Sequence, residues 1–165
     1  MQGQEVTITD MMYCRDRRVQ IQNEFIEKYQ KPVISFCMNI PGPIKTTPLI
    51  RKGFGSGKKA LVALLEKEAL EVLESRIFDD ITGPEMLLCI SASAEKLKDL
   101  TTQIEENHPY GRLFDMDVIG TDGQKLSRPT YRKCLICNCQ AQECARSRRH
   151  TIVEMQDKIE EILSH

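Results

Sequence analysis

Two aspartates stand two residues apart in HPYGRLFDMDVIG, His108 to Gly120, a run that otherwise has the composition of a buried strand. On a strand such residues project from one face, roughly 6 to 7 Å apart along the chain. Asp115 and Asp117 therefore converge, while Phe114, Met116 and Val118 point the other way. An unpaired buried charge is costly or shifts its pKa, so a positive partner is required. Carboxylates at this spacing suit Mg²⁺, which takes one or two of them and fills its other positions with water and phosphate oxygens. Phosphoryl and nucleotidyl transfer use such an ion to neutralise the attacked phosphate and orient the attacking and leaving oxygens. Alternating aspartates also occur on the wet face of a strand, where they carry no chemistry. The neighbours point toward phosphate: Arg112 offers a planar fork three residues upstream, His108 and Pro109 set a turn, and Gly111 permits close backbone approach.

Other stretches carry weaker signals. PGPIK places Lys45 at the end of a proline-stiffened loop after a strand, where ligands are commonly held, although a solvated lysine has the same signature. GFGSGKK imitates a phosphate-binding loop but has three residues between Gly53 and Gly57 and a lysine, Lys59, where serine or threonine belongs. It reads as a mobile loop entering a helix, with Ser56 as the cap. In CLICNCQAQECARSRRH, Cys134 and Cys137 have the spacing of a zinc knuckle, and Cys144 and His150 complete a Cys3His set. A helix with Cys137, Ala141, Cys144 and Ala145 facing a core explains the same residues. Arg146, Arg148 and Arg149 form either a solvated face or a phosphate contact.

The elements that position these residues follow from periodicity. A helix is expected from about Asp10 to Tyr29, with Ile21, Phe25 and Tyr29 on one face and Arg15, Arg18 and Gln22 on another. PVISFCMN reads as a strand. Leu61, Leu65, Ala69 and Val72 predict a second helix, RIFDDI and EMLLCISA a hairpin, and Ala94 to Asn107 a third helix before the aspartate strand. The order strand, helix, strand, strand, helix, strand predicts an α+β, ferredoxin-like or nucleotidyltransferase-like sandwich. To it are added the N-terminal helix and a C-terminal helical extension that ends in a helix capped by Thr151 and Glu154.

With 165 residues and 41% apolar content the chain suits a single domain, residues 1–165, with the Cys-rich extension 132–165 inside it. A balance of 23 basic against 24 acidic residues gives no global cationic bias, so nucleic acid is not expected as a partner. No run is long and apolar enough to suggest a membrane span, and a cytoplasmic protein with its seven cysteines reduced is expected.

Taken in order, RDRR (15–18), PGPIK (41–45), HPYGRLFDMDV (108–118), LSR (126–128) and RKCLICNCQAQECARSRRH (132–150) resemble the holo-citrate lyase synthase family, over about residues 12–163. Members are apo-citrate lyase phosphoribosyl-dephospho-CoA transferases. The resemblance implies transfer of phosphoribosyl-dephospho-CoA from 2′-(5″-triphosphoribosyl)-3′-dephospho-CoA to a serine of the apo acyl carrier (gamma) subunit of citrate lyase, with release of pyrophosphate. It implies Asp115, Asp117 and Arg112 as catalytic residues, with Mg²⁺ on the aspartates, and Lys45, Arg15, Arg18, His108 and Arg128 as substrate-binding residues. Any zinc site would use Cys134, Cys137, Cys144 and His150, Cys139 being extra. The chain departs from the family where Val19 and Ile21 stand in place of Gln and Arg. The arginines from Arg146 to Arg149 would suit an acidic carrier. Two other readings remain open: a zinc-dependent, non-catalytic binding module, and a metal-dependent phosphodiesterase using the same aspartates.

Overall fold

A computed structural model describes all 165 residues. Helix α1, Ile8–Tyr29, starts earlier than its apolar period suggests because Thr7 and Asp10 cap it reciprocally: Thr7 Oγ1 accepts from the Asp10 amide, and Asp10 Oδ2 accepts from the Thr7 amide at 2.8 Å. Strand β1, Val33–Met38, runs into the proline-rich loop.

Helix α2, Pro48–Lys67, corrects two expectations. It begins ahead of the glycine run, because Thr47 Oγ1 accepts from the Ile50 amide and Pro48 is preset for the first turn. Ser56 is therefore inside the helix rather than its cap, and GFGSGKK is helix rather than loop. Two of the three glycines serve packing: a Cβ on Gly57 would lie 2.7 Å from ring atoms of both Phe36 and Phe114, and one on Gly53 would lie 2.6 Å from Leu163. The helix also stops sooner than its period suggested. Ala69 turns left-handed at φ 52°, and Val72 opens a strand.

Strands β2, Val72–Asp80, and β3, Gly83–Ile90, form the expected hairpin, and helix α3, Ala94–Asn107, has the expected bounds. A short 3₁₀ turn, Gly111–Leu113, leads into β4, Phe114–Ile119. Helices α4, Ala141–Ser147, and α5, Ile152–Ser164, complete a mixed α/β molecule with five helices and one sheet. The helical alternative for the cysteine stretch is corrected: Cys137 precedes α4, and Ala145 is exposed. No helix is long and apolar enough to cross a membrane.

The sheet order is β2-β3-β1-β4, antiparallel throughout. One face carries the main core, where Phe36, Phe114, Met116 and Val118 meet Ile50, Leu61, Leu97, Ile159 and Leu163 from the helices. The other face is covered by α1 through Ile21, Phe25 and Ile26 against Val33, Leu87, Cys89 and Ile119. That second face also carries the aspartates.

Candidate functional site

Strand β4 alternates as its composition demands: Phe114, Met116 and Val118 are fully buried in the main core, and Asp115 and Asp117 are half-buried on the opposite face. Register places Asp115 beside Cys37, and Cys37 beside Glu85, so one polar row crosses β4, β1 and β3. Glu85 is buried and bound by Arg17 at 2.6 Å and Arg18 at 2.8 Å from α1. Asp117 lies beside Ser35 in the next row.

The positive partner of Asp117 is Lys125, whose Nζ lies 2.8 Å from Oδ2. The TDGQ turn delivers it. Gly120 donates to the Gln124 carbonyl, Leu126 donates to Val118, and Gly123 takes the positive φ of 78° that the turn requires. Lys125 pairs in register with Ile119, so its long side chain reaches diagonally to Asp117. Asp115 has no ion pair within 4 Å; the Cys37 thiol approaches it at 3.9 Å. Burial raises the Asp115 carboxyl above its ordinary pKa, and the neighbouring Asp117 charge adds to the rise. Burial pushes the Cys37 thiol up to about 12, so Cys37 stays protonated.

Asp115 stands between two cavities. The larger, about 730 Å³, is lined by Lys98, Lys125, Arg128 and Arg132 together with Glu105 and Asp117. The smaller, about 160 Å³, is lined by Arg15, Arg18 and Lys45 beside Cys37 and Asn39. Lys45 donates to the Ile40 carbonyl at 2.6 Å, and burial together with Arg15 lowers its pKa. Of the residues singled out in the sequence, the aspartates, Lys45, Arg15, Arg18 and Arg128 are thus brought together.

Arg112 and His108 lie elsewhere. The Arg112 guanidinium donates to the carbonyls of Lys133 and Cys134, the latter at 2.7 Å, and so holds the cysteine segment against the turn before β4. His108 Nδ1 accepts from the Tyr110 amide at 3.0 Å, leaving Nε2 to donate to Ser56 Oγ at 3.0 Å. Its ring packs on Phe114, on the core side of the sheet, and burial lowers its pKa.

Four residues of the larger cavity escaped the sequence reading. Glu105, 4% exposed, accepts from the Met116 amide at 2.9 Å, which satisfies a free donor of the edge strand, and takes Arg128 at 2.6 Å. Arg132 follows at 3.8 Å from Glu105. Lys98, 7% exposed, has no ion pair within 4 Å, and burial lowers its pKa. The readable signal was a polar stripe on α3, with Lys98, Thr101 and Glu105 at helical spacing and all buried. Lys125 was readable from the turn register.

The cysteine stretch forms a separate constellation. The ligand atoms of Cys134, Cys137, Cys144 and His150 all lie within 4.8 Å of one another, a set able to hold a metal ion. Cys137 Sγ is 3.4 Å from Cys144 Sγ and 3.3 Å from His150 Nε2.

The model of the family described as apo-citrate lyase phosphoribosyl-dephospho-CoA transferase matches residues 6–165. A protein named apo-citrate lyase phosphoribosyl-dephospho-CoA transferase from Escherichia coli O7:K1 is 36% identical over 163 residues, covering 96% of this chain and 89% of the relative. A protein of the same name from Shigella boydii serotype 18 matches with the same identity and coverage. With the family model spanning nearly the whole chain, including both cavities and the Cys3His set, the chain belongs to the apo-citrate lyase phosphoribosyl-dephospho-CoA transferase family.

Proposed function

We propose that this chain transfers phosphoribosyl-dephospho-CoA from 2′-(5″-triphosphoribosyl)-3′-dephospho-CoA to a serine of the apo acyl carrier (gamma) subunit of citrate lyase. The serine hydroxyl gives up its proton to solvent as its oxygen bonds to the α-phosphorus, the bond from that phosphorus to the pyrophosphate oxygen breaks, and pyrophosphate leaves. The observation that carries this reading is Asp115 at the junction of a large and a small cavity, each walled by cations. In-line displacement needs such a division, with the leaving group on one side of the phosphorus and the nucleophile on the other.

The small cavity has the size and charge for pyrophosphate, and Arg15, Arg18 and Lys45 would bind it there. The large cavity would take the rest of the donor and admit the carrier serine on the side of the phosphorus opposite the small cavity, with Lys98, Lys125 and Arg128 offering charge to the donor's phosphates. Asp115 and Asp117 fit Mg²⁺: they are hard oxygen donors on one strand face, and a divalent cation would offset both the burial and the Asp117 charge that raise Asp115. When bound, Mg²⁺ supplies neutralisation of the triphosphate. Lys125 holds Asp117 in place on this face, and Arg112 contributes by fixing the segment that carries Arg132. The β2-β3-β1-β4 order supports a split βαβ, nucleotidyltransferase-like sandwich as the scaffold. Seven unpaired cysteines suit a reaction in the cytoplasm.

The test is pyrophosphate release from the donor in the presence of Mg²⁺, with and without the apo carrier subunit. Release should require the carrier and should fall below detection in Asp115→Asn and in Asp117→Asn, both with folding preserved. Release in both variants at the wild-type rate would sink the role given to the aspartates.

A further inference from the structure

From Thr121 to Met155 only Cys134 and Cys144 are buried, and no helix or strand occurs before Ala141 in that stretch. A segment with so little fully buried surface, in which Leu126 and Leu135 pack only partly against the main core, gains little from hydrophobic burial. Yet it forms one wall of the larger cavity, supplying Arg128, Arg132, Gln140 and Gln142. Arg128 on Glu105 and Arg112 on the carbonyls of Lys133 and Cys134 tie it at single points, and ordering the rest needs a further hold.

Its two buried side chains belong to the Cys3His set, whose ligand atoms come from three pieces of chain: the loop of Cys134 and Cys137, helix α4 through Cys144, and the approach to α5 through His150. We infer that this set holds a structural zinc ion, and that the ion builds the wall of the cavity over the aspartate pair. Three thiolates and an imidazole are a soft donor set that suits zinc rather than magnesium, and four protein ligands close the site, as structural zinc requires.

The surroundings agree. The Ile136 amide donates to Cys134 Sγ at 3.5 Å, a bond of the kind that stabilises a metal-bound thiolate. The Cys134 amide donates to the Cys139 carbonyl at 2.8 Å and closes the knuckle loop. From that loop the connection to the cavity is short. Arg132 is two residues before Cys134; its carbonyl accepts from the Ala141 amide at 2.9 Å, and its side chain donates to the Gly111 carbonyl at 3.0 Å. Cys139 stands outside the set, its sulfur accepting from Arg149 at 2.8 Å.

Metal analysis after exhaustive dialysis should find close to one zinc per chain in the wild type and in Cys139→Ser. Most of it should be lost in Cys134→Ser and in Cys144→Ser. Cobalt exchanged into the wild type should give the absorption of a tetrahedral thiolate complex. On treating the zinc-loaded wild type with a strong chelator, the amides of Cys134, Ala141, Cys144 and Arg149 should exchange faster by on the order of tenfold or more, with those of β1 and β3 unchanged. A wild-type protein without zinc would overturn the inference. So would zinc whose removal leaves those four amides as protected as before, and this arm decides even if the cysteine variants do not fold. None of these readouts depends on transfer activity, so a chain that transfers without zinc would sink this inference and leave the proposed function standing.

Discussion

Asp115 and Asp117 share a strand face but have different surroundings. Asp117 is paired with Lys125, and Asp115 is left between cavities with its carboxyl pushed up by burial and by its neighbour. The larger cavity shows the same asymmetry among its cations, since Arg128 and Arg132 lean on Glu105 whereas Lys98 is buried without an ion pair. An ammonium at a cavity wall with no counter-ion is a burden on the folded state unless a ligand uses it. Lys98→Met should therefore leave thermal stability unchanged or raised, while lowering kcat/KM for the donor by about ten- to a hundredfold, the worth of a charge-assisted hydrogen bond. A thermal melt and steady-state kinetics on one preparation check both halves, and a large loss of stability would assign Lys98 a structural role instead. At this scale the aspartates and Lys45 were legible in the sequence by type and spacing, and Arg128 only through the family resemblance. Lys98 and Glu105 were not, because α3 carries many charged residues and residue type alone does not separate the buried ones from the solvated ones.

Helix α2 shows why the element boundaries were harder to read. Its glycines look like a loop in one dimension, and two of them become packing devices only in three dimensions, Gly57 against Phe36 and Phe114 and Gly53 against Leu163. Gly57→Ala should destabilise by about 1–3 kcal/mol, because crowding against both rings exceeds the gain in helix propensity. Gly55 has nothing within 4 Å of its added Cβ, and Gly55→Ala should stabilise by about 0.5–1 kcal/mol. Chemical denaturation of the two variants side by side tests the contrast. Helix α1 is tied to β2 by Glu74, which accepts from Lys28 and from Tyr29, each at 2.9 Å. These bonds, Lys28 first, hold its carboxyl down to about 2 against an ordinary 4.5. A carboxyl depressed in the folded state contributes stability above the unfolded value and loses it as pH falls. Wild-type stability should therefore drop more steeply than that of Glu74→Gln between about pH 4.5 and 2, as read by denaturation at a series of pH values. Parallel curves would remove Glu74 from the account.

Across the whole molecule, the near-neutral charge conceals a strong local arrangement. Cations from α1, the proline-rich loop, α3 and the segment after β4 surround two carboxylates on an edge strand. The order of strands and helices was legible because each element carries its own period, and the family resemblance was legible because its motifs follow one another along the chain. The two-cavity arrangement was not, since it exists only once the C-terminal segment folds back over β4. It also shows why the cysteine stretch belongs to the same enzyme rather than to a separate binding module: it walls the larger cavity. The central claim concerns what crosses the junction at Asp115, and the most direct test is the intact mass of the apo carrier subunit before and after incubation with this chain, the triphosphoribosyl donor and Mg²⁺. The account predicts a gain equal to one phosphoribosyl-dephospho-CoA group, attached at a serine, with an equal amount of pyrophosphate released. Consumption of the donor with the carrier mass unchanged would contradict it and show that the aspartates direct the phosphorus to water.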